Sequence, residues 1–284
     1  MTRFQNTILA AVTLLTVLSG PLHAQLQSEI AQQLLSEDRN IRGRGLDSAR
    51  RIPPQDVGPE LRRALLIVLR AENATMDQST TAGRPVPGSS DPEFRSILAR
   101  TVANLKHPDA IRELARAFYV GPVIARSLAE FGPAALPAVL QVVTDVNAHY
   151  DQVNHGLLAM RYMIEASAGS GLSQSQRGQV INAAKDRLTG NEHFTTLWKA
   201  IDLAAALGEP ELLEIVRSIA ADPDALQQRD ITDPVVAAKT KSYAAERLAA
   251  VRFPDLESEA ATESGGWTSG RVSNSRFVSR TTSS

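Results

Sequence analysis

The chain has 284 residues, of which 43% are hydrophobic and 21% charged, with a formal net charge of −1 and no cysteine. That apolar content over that length supplies a sizeable core, and the missing thiols remove disulfides, thiolate metal sites and thiol nucleophiles together. Aromatic residues are only 5% while alanine and leucine dominate the apolar set, which disfavours a β-sandwich or barrel, and the balanced charge gives no global case for nucleic acid or a membrane surface.

Residues 1–24 read as an export signal. Arg3 supplies a basic start, an apolar run follows from Ile8 to Leu18, and Ser19-Gly20-Pro21 breaks any helix before the small residue Ala24. Such a run spans roughly half of a bilayer core of about 30 Å, so it suits a cleaved signal better than a membrane span. No cysteine follows it, which excludes a lipoprotein anchor. The expected location is the periplasm or exterior of a bacterium, with the mature chain starting at Gln25.

The body reads as twelve helices, over 26–36, 40–52, 58–72, 92–106, 108–119, 121–131, 133–146, 152–167, 174–189, 193–207, 209–221 and 233–252. Prolines preceded by Gly, Asp, His or Glu mark most of the starts: Pro59, Pro92, Pro108, Pro122, Pro133, Pro210, Pro223 and Pro234. Proline is tolerated in a first turn, where its missing N–H was unpaired anyway, and a nearby acid complements the helix dipole. Apolar residues recur at three and four, as in Leu61, Ala64, Leu65, Val68 and Leu69, and again in Leu136, Leu140, Val143 and Val146. No stretch alternates with period two, so the fold class is all-α.

Three segments stand out along the way. Around the second helix, Arg39, Arg42, Arg44, Arg50 and Arg51 crowd together, with Arg39, Arg42 and Arg50 on one flank and Arg44 and Arg51 opposite the apolar side. Residues 73–91 are polar and rich in Gly, Pro, Ser and Thr, which predicts a long loop, and Asn73-Ala74-Thr75 fits a glycosylation acceptor. Residues 253–284 are dominated by Ser, Thr and Gly, a composition that predicts disorder, with Trp267 and Phe277 as a candidate short binding motif.

Consecutive short helices joined by short loops form antiparallel pairs, here about six pairs of about 38 residues each. The run PAVLQVVTD over Pro137–Asp145, followed by Val153 and GLLAMRYMI over 156–164, resembles a HEAT repeat, and FGPAALPAVL over 131–140 is similar to bacterial HEAT-like sequences. Weaker copies lie at 34–52 and 197–207, although most lack the family's aspartate–arginine ladder. The resemblance implies an α-solenoid whose second helices line a concave surface suited to holding a macromolecule. It would place the arginine-bearing second helix on that surface, where guanidinium groups grip carboxylates or phosphates.

Catalytic signatures are sparse. The loop Asn147–His155 contains His149, Asp151 and His155, chemically apt metal ligands but at no recognised zinc spacing. No nucleophile elbow, phosphate-binding loop or dinucleotide fingerprint occurs. The sequence thus favours an exported, non-catalytic binding or scaffold protein without cofactor or metal, whose partner is another protein or an acidic envelope component, with nucleic acid disfavoured. The alternatives are a metal-dependent hydrolase using the two histidines and Asp151, and a polyanion binder using the arginine cluster.

Overall fold

The computed structural model describes residues 23–82, 91–166, 171–222 and 224–251. Within these residues the chain is helical, with no strand, and its helices belong to one unit ending at Ala250. The first helix, α1, covers 23–34 of the described residues. It is followed by α2 (Arg39–Ala49), α3 (Pro59–Ala82), α4 (Pro92–Asn104), α5 (Ile111–Arg116) and α6 (Pro122–Glu130). Next come α7 (Leu136–Thr144), α8 (Tyr150–Ala166), α9 (Gln174–Thr189), α10 (Phe194–Leu207), α11 (Pro210–Ala221) and α12 (Pro234–Ala250). The export signal, apart from its last two residues, and the tail with Trp267 and Phe277 lie outside the described residues.

Local chemistry accounts for most boundaries. Asp38 caps α2 by accepting from the N–H groups of Asn40 and Ile41, Asp91 caps α4 through Glu93 N–H, and Asp233 caps α12 through Val235 and Val236. Ser173 and Gln176 form a reciprocal capping box at α9. Gly208 closes α10 in the left-handed conformation, at φ 68°. Two starts differ from expectation. Asp222 ends α11 and makes only a local turn to Asp224 N–H, and the helix expected over 108–119 is a short α-helix between two 3-10 turns. The α2 helix stops at Ala49 rather than 52 because Pro53 and Pro54 follow, which disfavours helical backbone just before them.

The largest departure is α3. The loop expected over 73–91 is helical as far as Ala82. Asn73 is fully buried; its Nδ2 donates to the Glu113 carbonyl oxygen at 2.9 Å and carboxylate at 3.1 Å, and its Oδ1 accepts from Tyr119 at 2.9 Å. Arg116 pairs with Asp77 one turn further on, at 2.5 Å. Polar residues that read as a loop are therefore the contact face of a helix. The same burial leaves the Asn73 amide closed to glycosylation in the folded state.

Packing follows a simple rule of alternation. One row consists of α2, α4, α6, α8, α10 and α12, each touching the next; a second row consists of α3, α5, α7, α9 and α11, and each odd helix also packs on the even helix after it. Many side-chain hydrogen bonds between helices repeat the rule, at separations of 39–46 residues, beside others at 19–36. Examples are Asn73 to Glu113, Gln176 to Pro133, Arg187 to Val143, Asn154 to Thr195, Trp198 to Thr240 and Tyr243 to Asp202. A continuous apolar core from Ile30 to Ala244 lies between the rows, built on leucines such as Leu34, Leu65, Leu98, Leu114, Leu128, Leu136 and Leu157. Each fully buried leucine contributes about 1.5–3 kcal/mol relative to exposure. Two helix contacts leave room only for glycine: a Cβ on Gly156 would sit 2.4 Å from Val143 Cγ2, and one on Gly45 would sit 2.9 Å from the Leu34 backbone nitrogen. Val146, the last residue of its expected stripe, is 88% exposed because α7 has already ended at Thr144.

Candidate functional site

The α2 helix turns Leu46 and Ala49 into the core, and Gly45 lets the α1 backbone press against it. An adjoining flank of the helix forms one wall of a groove of about 660 Å³ between α2 and the start of α4. Arg39, Arg42 and Arg50 line that wall together with Asn40, Gly43 and Asp47. Asp91, Glu93, Phe94 and Ile97 supply the α4 side, and Glu72 reaches in from α3. The structure thus brings together three of the five arginines that the sequence singles out, whereas Arg44 and Arg51 are exposed and do not line the groove.

The charges in the groove are unequally satisfied. Arg50 Nε pairs with Asp47 Oδ1 at 3.2 Å, both about half exposed. Arg39 and Arg42 have no carboxylate within ion-pair distance among the described residues. Glu72 is buried, at 6% exposure, and its Oε2 accepts no hydrogen bond. The buried Arg95 of α4 sends its Nη1 to the Met76 sulfur and lies over the Tyr119 ring at 5.5 Å, while its Nε lacks a partner. Nothing in the linear sequence marked Glu72, since a glutamate in a helix of mixed polarity reads as solvated.

The histidine cluster resolves into local structure. His149 precedes α8 and its Nδ1 accepts from Asp151 N–H at 3.3 Å, while Gln152 Oε1 accepts from His149 N–H at 3.3 Å. Its Nδ1 also lies 3.5 Å from Asp151 Oδ2. His149 and Asp151 border a second cavity, of about 380 Å³, with Arg95, Tyr119 and Gln152. His155 does not line it, and among the described residues no group of three or more His, Asp or Glu is placed to hold a metal ion.

Burial pushes the His155 imidazole below its ordinary pKa of 6.5, opposed by the charge of Asp151 and reinforced by that of Lys199. The unfolded state therefore binds the proton more tightly. Stability is complete above the ordinary histidine pKa and is lost as pH falls from there through the lower folded value. Urea unfolding at a series of pH values between 7.5 and 5 is expected to show this loss in the wild type and a shallower one in His155→Gln. Identical pH dependence in the two would refute the assignment.

A second feature that sequence reading missed is a row of aromatic rings across α8, α10 and α12. Tyr150 stacks on His193 at 4.5 Å, Phe194 meets Trp198 edge-on at 5.5 Å, and Trp198 stacks on Tyr243 at 5.2 Å. Asp202 anchors its end. This buried carboxylate accepts from Tyr243 Oη at 2.5 Å and lies 2.8 Å from Arg247 Nε, 3.5 Å from Arg161 Nη1 and 3.6 Å from Lys199 Nζ. Burial and the hydrogen bond to Asp202 raise the Tyr243 pKa. The only linear signal was the four-residue spacing of Phe194 with Trp198 and of Tyr243 with Arg247.

No protein-family model matches the chain, and no curated protein matches its sequence. No helix among the described residues is long and apolar enough to cross a membrane.

Proposed function

We propose that the chain is an exported, non-catalytic binding or scaffold module, an α-solenoid of about six antiparallel helix pairs of HEAT-like type, acting in the periplasm or outside the cell. The observation that carries this reading is the recurrence of interhelical side-chain bonds at 39–46 residues, matched by contacts between every second helix. One helix pair cannot bury both of its apolar faces alone, so stacking equivalent pairs closes the core and leaves a long surface for a partner. The contacts within the even-numbered row are the more extensive, which favours that row as the inner side of a curve. The arginine-lined groove and the aromatic row both belong to helices of that row. The partner in this reading is another protein or an acidic envelope component, held by shape and charge without cofactor.

A photoreactive side chain placed at Asn40 in the groove, or at Tyr150 in the aromatic row, tests this in the living cell. The expected result is a discrete covalent adduct to one partner at one or both positions. No adduct at either position, together with stoichiometric metal in the purified protein, would overturn the reading in favour of an enzyme. Solution scattering supplies a second check, because stacked helix pairs require an elongated particle and a compact profile would exclude the solenoid.

A further inference from the structure

We infer that the groove between α2 and α4 is a receptor for a dipolar peptide segment. It would hold a carboxylate against Arg39 and Arg42 and an ammonium or guanidinium group against Glu72. The inference rests on the binding-module reading and adds to it the chemistry of what this groove takes.

The argument begins from what is left unpaired. Arg50 is neutralised by Asp47, but Arg39 and Arg42 face the groove without a carboxylate partner among the described residues. A bidentate carboxylate is the ligand that the guanidinium fork fits best. On the other side, Glu72 is more than nine-tenths buried, lines the groove, and keeps one oxygen without a donor. A buried carboxylate with an oxygen left without a donor is costly, and a cation held in the groove beside Glu72 offsets its charge.

The distribution of charge then selects among ligands. With Arg50 and Asp47 paired, Glu72, Asp91 and Glu93 repel a simple polyanion, while Arg39 and Arg42 repel a simple cation. A ligand with both signs, its anion toward α2 and its cation toward Glu72 and the acidic first turn of α4, meets neither penalty. Phe94 and Ile97, both half-buried, provide apolar surface for the chain between the two charges. The volume of about 660 Å³ exceeds the needs of a single amino acid and lies within the roughly 300–1,000 Å³ of small-ligand sites.

Gly43 supplies a clean way to close the groove. It lies mid-helix on the basic wall, and a Cβ there would meet nothing within 4 Å. Leucine at this position raises helix propensity and projects into open space, so the fold is retained.

The test is calorimetric titration of the full chain with end-blocked peptides: Lys-Ala-Ala-Glu, Gln-Ala-Ala-Glu with the anion alone, and Lys-Ala-Ala-Gln with the cation alone. The doubly charged peptide is expected to bind at least tenfold more tightly than either singly charged one, and Gly43→Leu is expected to abolish binding. Glu72→Gln should bring the doubly charged peptide down to the anion-only peptide, and Arg39→Gln with Arg42→Gln should bring it down to the cation-only peptide. Equal binding of the anion-only peptide to wild type would make the groove a plain anion site and overturn the inference. So would binding of free lysine or glutamate as tight as that of the peptide. A Glu72→Gln protein that changes in stability but not in peptide selectivity would mean that the carboxylate serves the fold alone, and would overturn it too. None of these failures touches the broader reading, which stands or falls on the cellular cross-link and the scattering profile.

Discussion

Glu113→Ala is expected to cost about 1.5–3 kcal/mol, the range for losing charge-assisted hydrogen bonds to a buried carboxylate whose cationic partners keep contact with solvent or with another acid. The Glu113 side chain is almost wholly buried; Oε1 accepts from Arg70 Nε at 3.1 Å, and Oε2 from Arg116 Nη1 at 2.9 Å and Asn73 Nδ2 at 3.1 Å. It thereby ties the second half of α3 to α5. Its removal takes from the buried Asn73 amide one of its two acceptors, the residue-113 carbonyl remaining, and leaves Arg116 with Asp77 alone; the Arg116 pKa is raised by Asp77 and Glu113 against the opposing effect of burial. Arg70 is the contrasting case. Its side chain is 68% exposed, so Arg70→Ala should cost under about 1 kcal/mol, as for other solvent-screened pairs. Chemical unfolding of the two variants separates them. Equal losses would show that Glu113 is not the tie described here. The same variant is expected to loosen residues 73–77 selectively, seen as faster amide exchange there than in α8.

Phe118→Ala should be more damaging, at about 3–5 kcal/mol, the range for emptying an aromatic site in a packed core. Phe118 has no exposed surface and is the largest of the fully buried side chains. It belongs to the 3-10 turn after α5, which packs on α4, α6 and α8 together. Its ring edge faces Gly156 of α8: a Cβ there would lie 3.5 Å from Phe118 Cε2. The site cannot collapse easily, because Gly156 is held at the same time against Val143 of α7. Phe118→Leu should recover much of the loss by restoring volume. A thermal melt in which Phe118→Ala lowers the midpoint no more than a surface substitution would contradict this account of the core. With unfolding of a chain this size, each kcal/mol corresponds to a shift of about 2–4 °C.

These two sites show where sequence reading reached its limit. The flank of Arg39, Arg42 and Arg50 was legible, because positions three and eight residues apart on a helix fall on one side of it whatever lies beyond. That they face a groove containing a buried glutamate was not legible, since Glu72 and α4 arrive from other parts of the chain. His107, just before Pro108, caps its 3-10 turn by accepting from Asp109 N–H at 3.3 Å. His149 caps a helix in the same way, a local role that its neighbours Asp151 and His155 disguised as a candidate metal site. The polar stretch after Asn73 was misread because composition describes an average, whereas three specific bonds to Glu113 and Tyr119 decide the conformation.

What the sequence determined by itself was local: an all-helical chain, the order of its helices, most of their starts, and the apolar face of each. Proline, capping aspartates and stripes of leucine and alanine act over a few residues, so one linear pass finds them. Only the tertiary structure decided how far α3 runs, what the arginines face, and how Asp202 gathers Tyr243, Arg247, Arg161 and Lys199. Those outcomes depend on groups about forty residues apart meeting across neighbouring helices. A buried hydrogen bond or ion pair stabilises only once packing has excluded water from both partners, and no reading of either segment alone contains that condition.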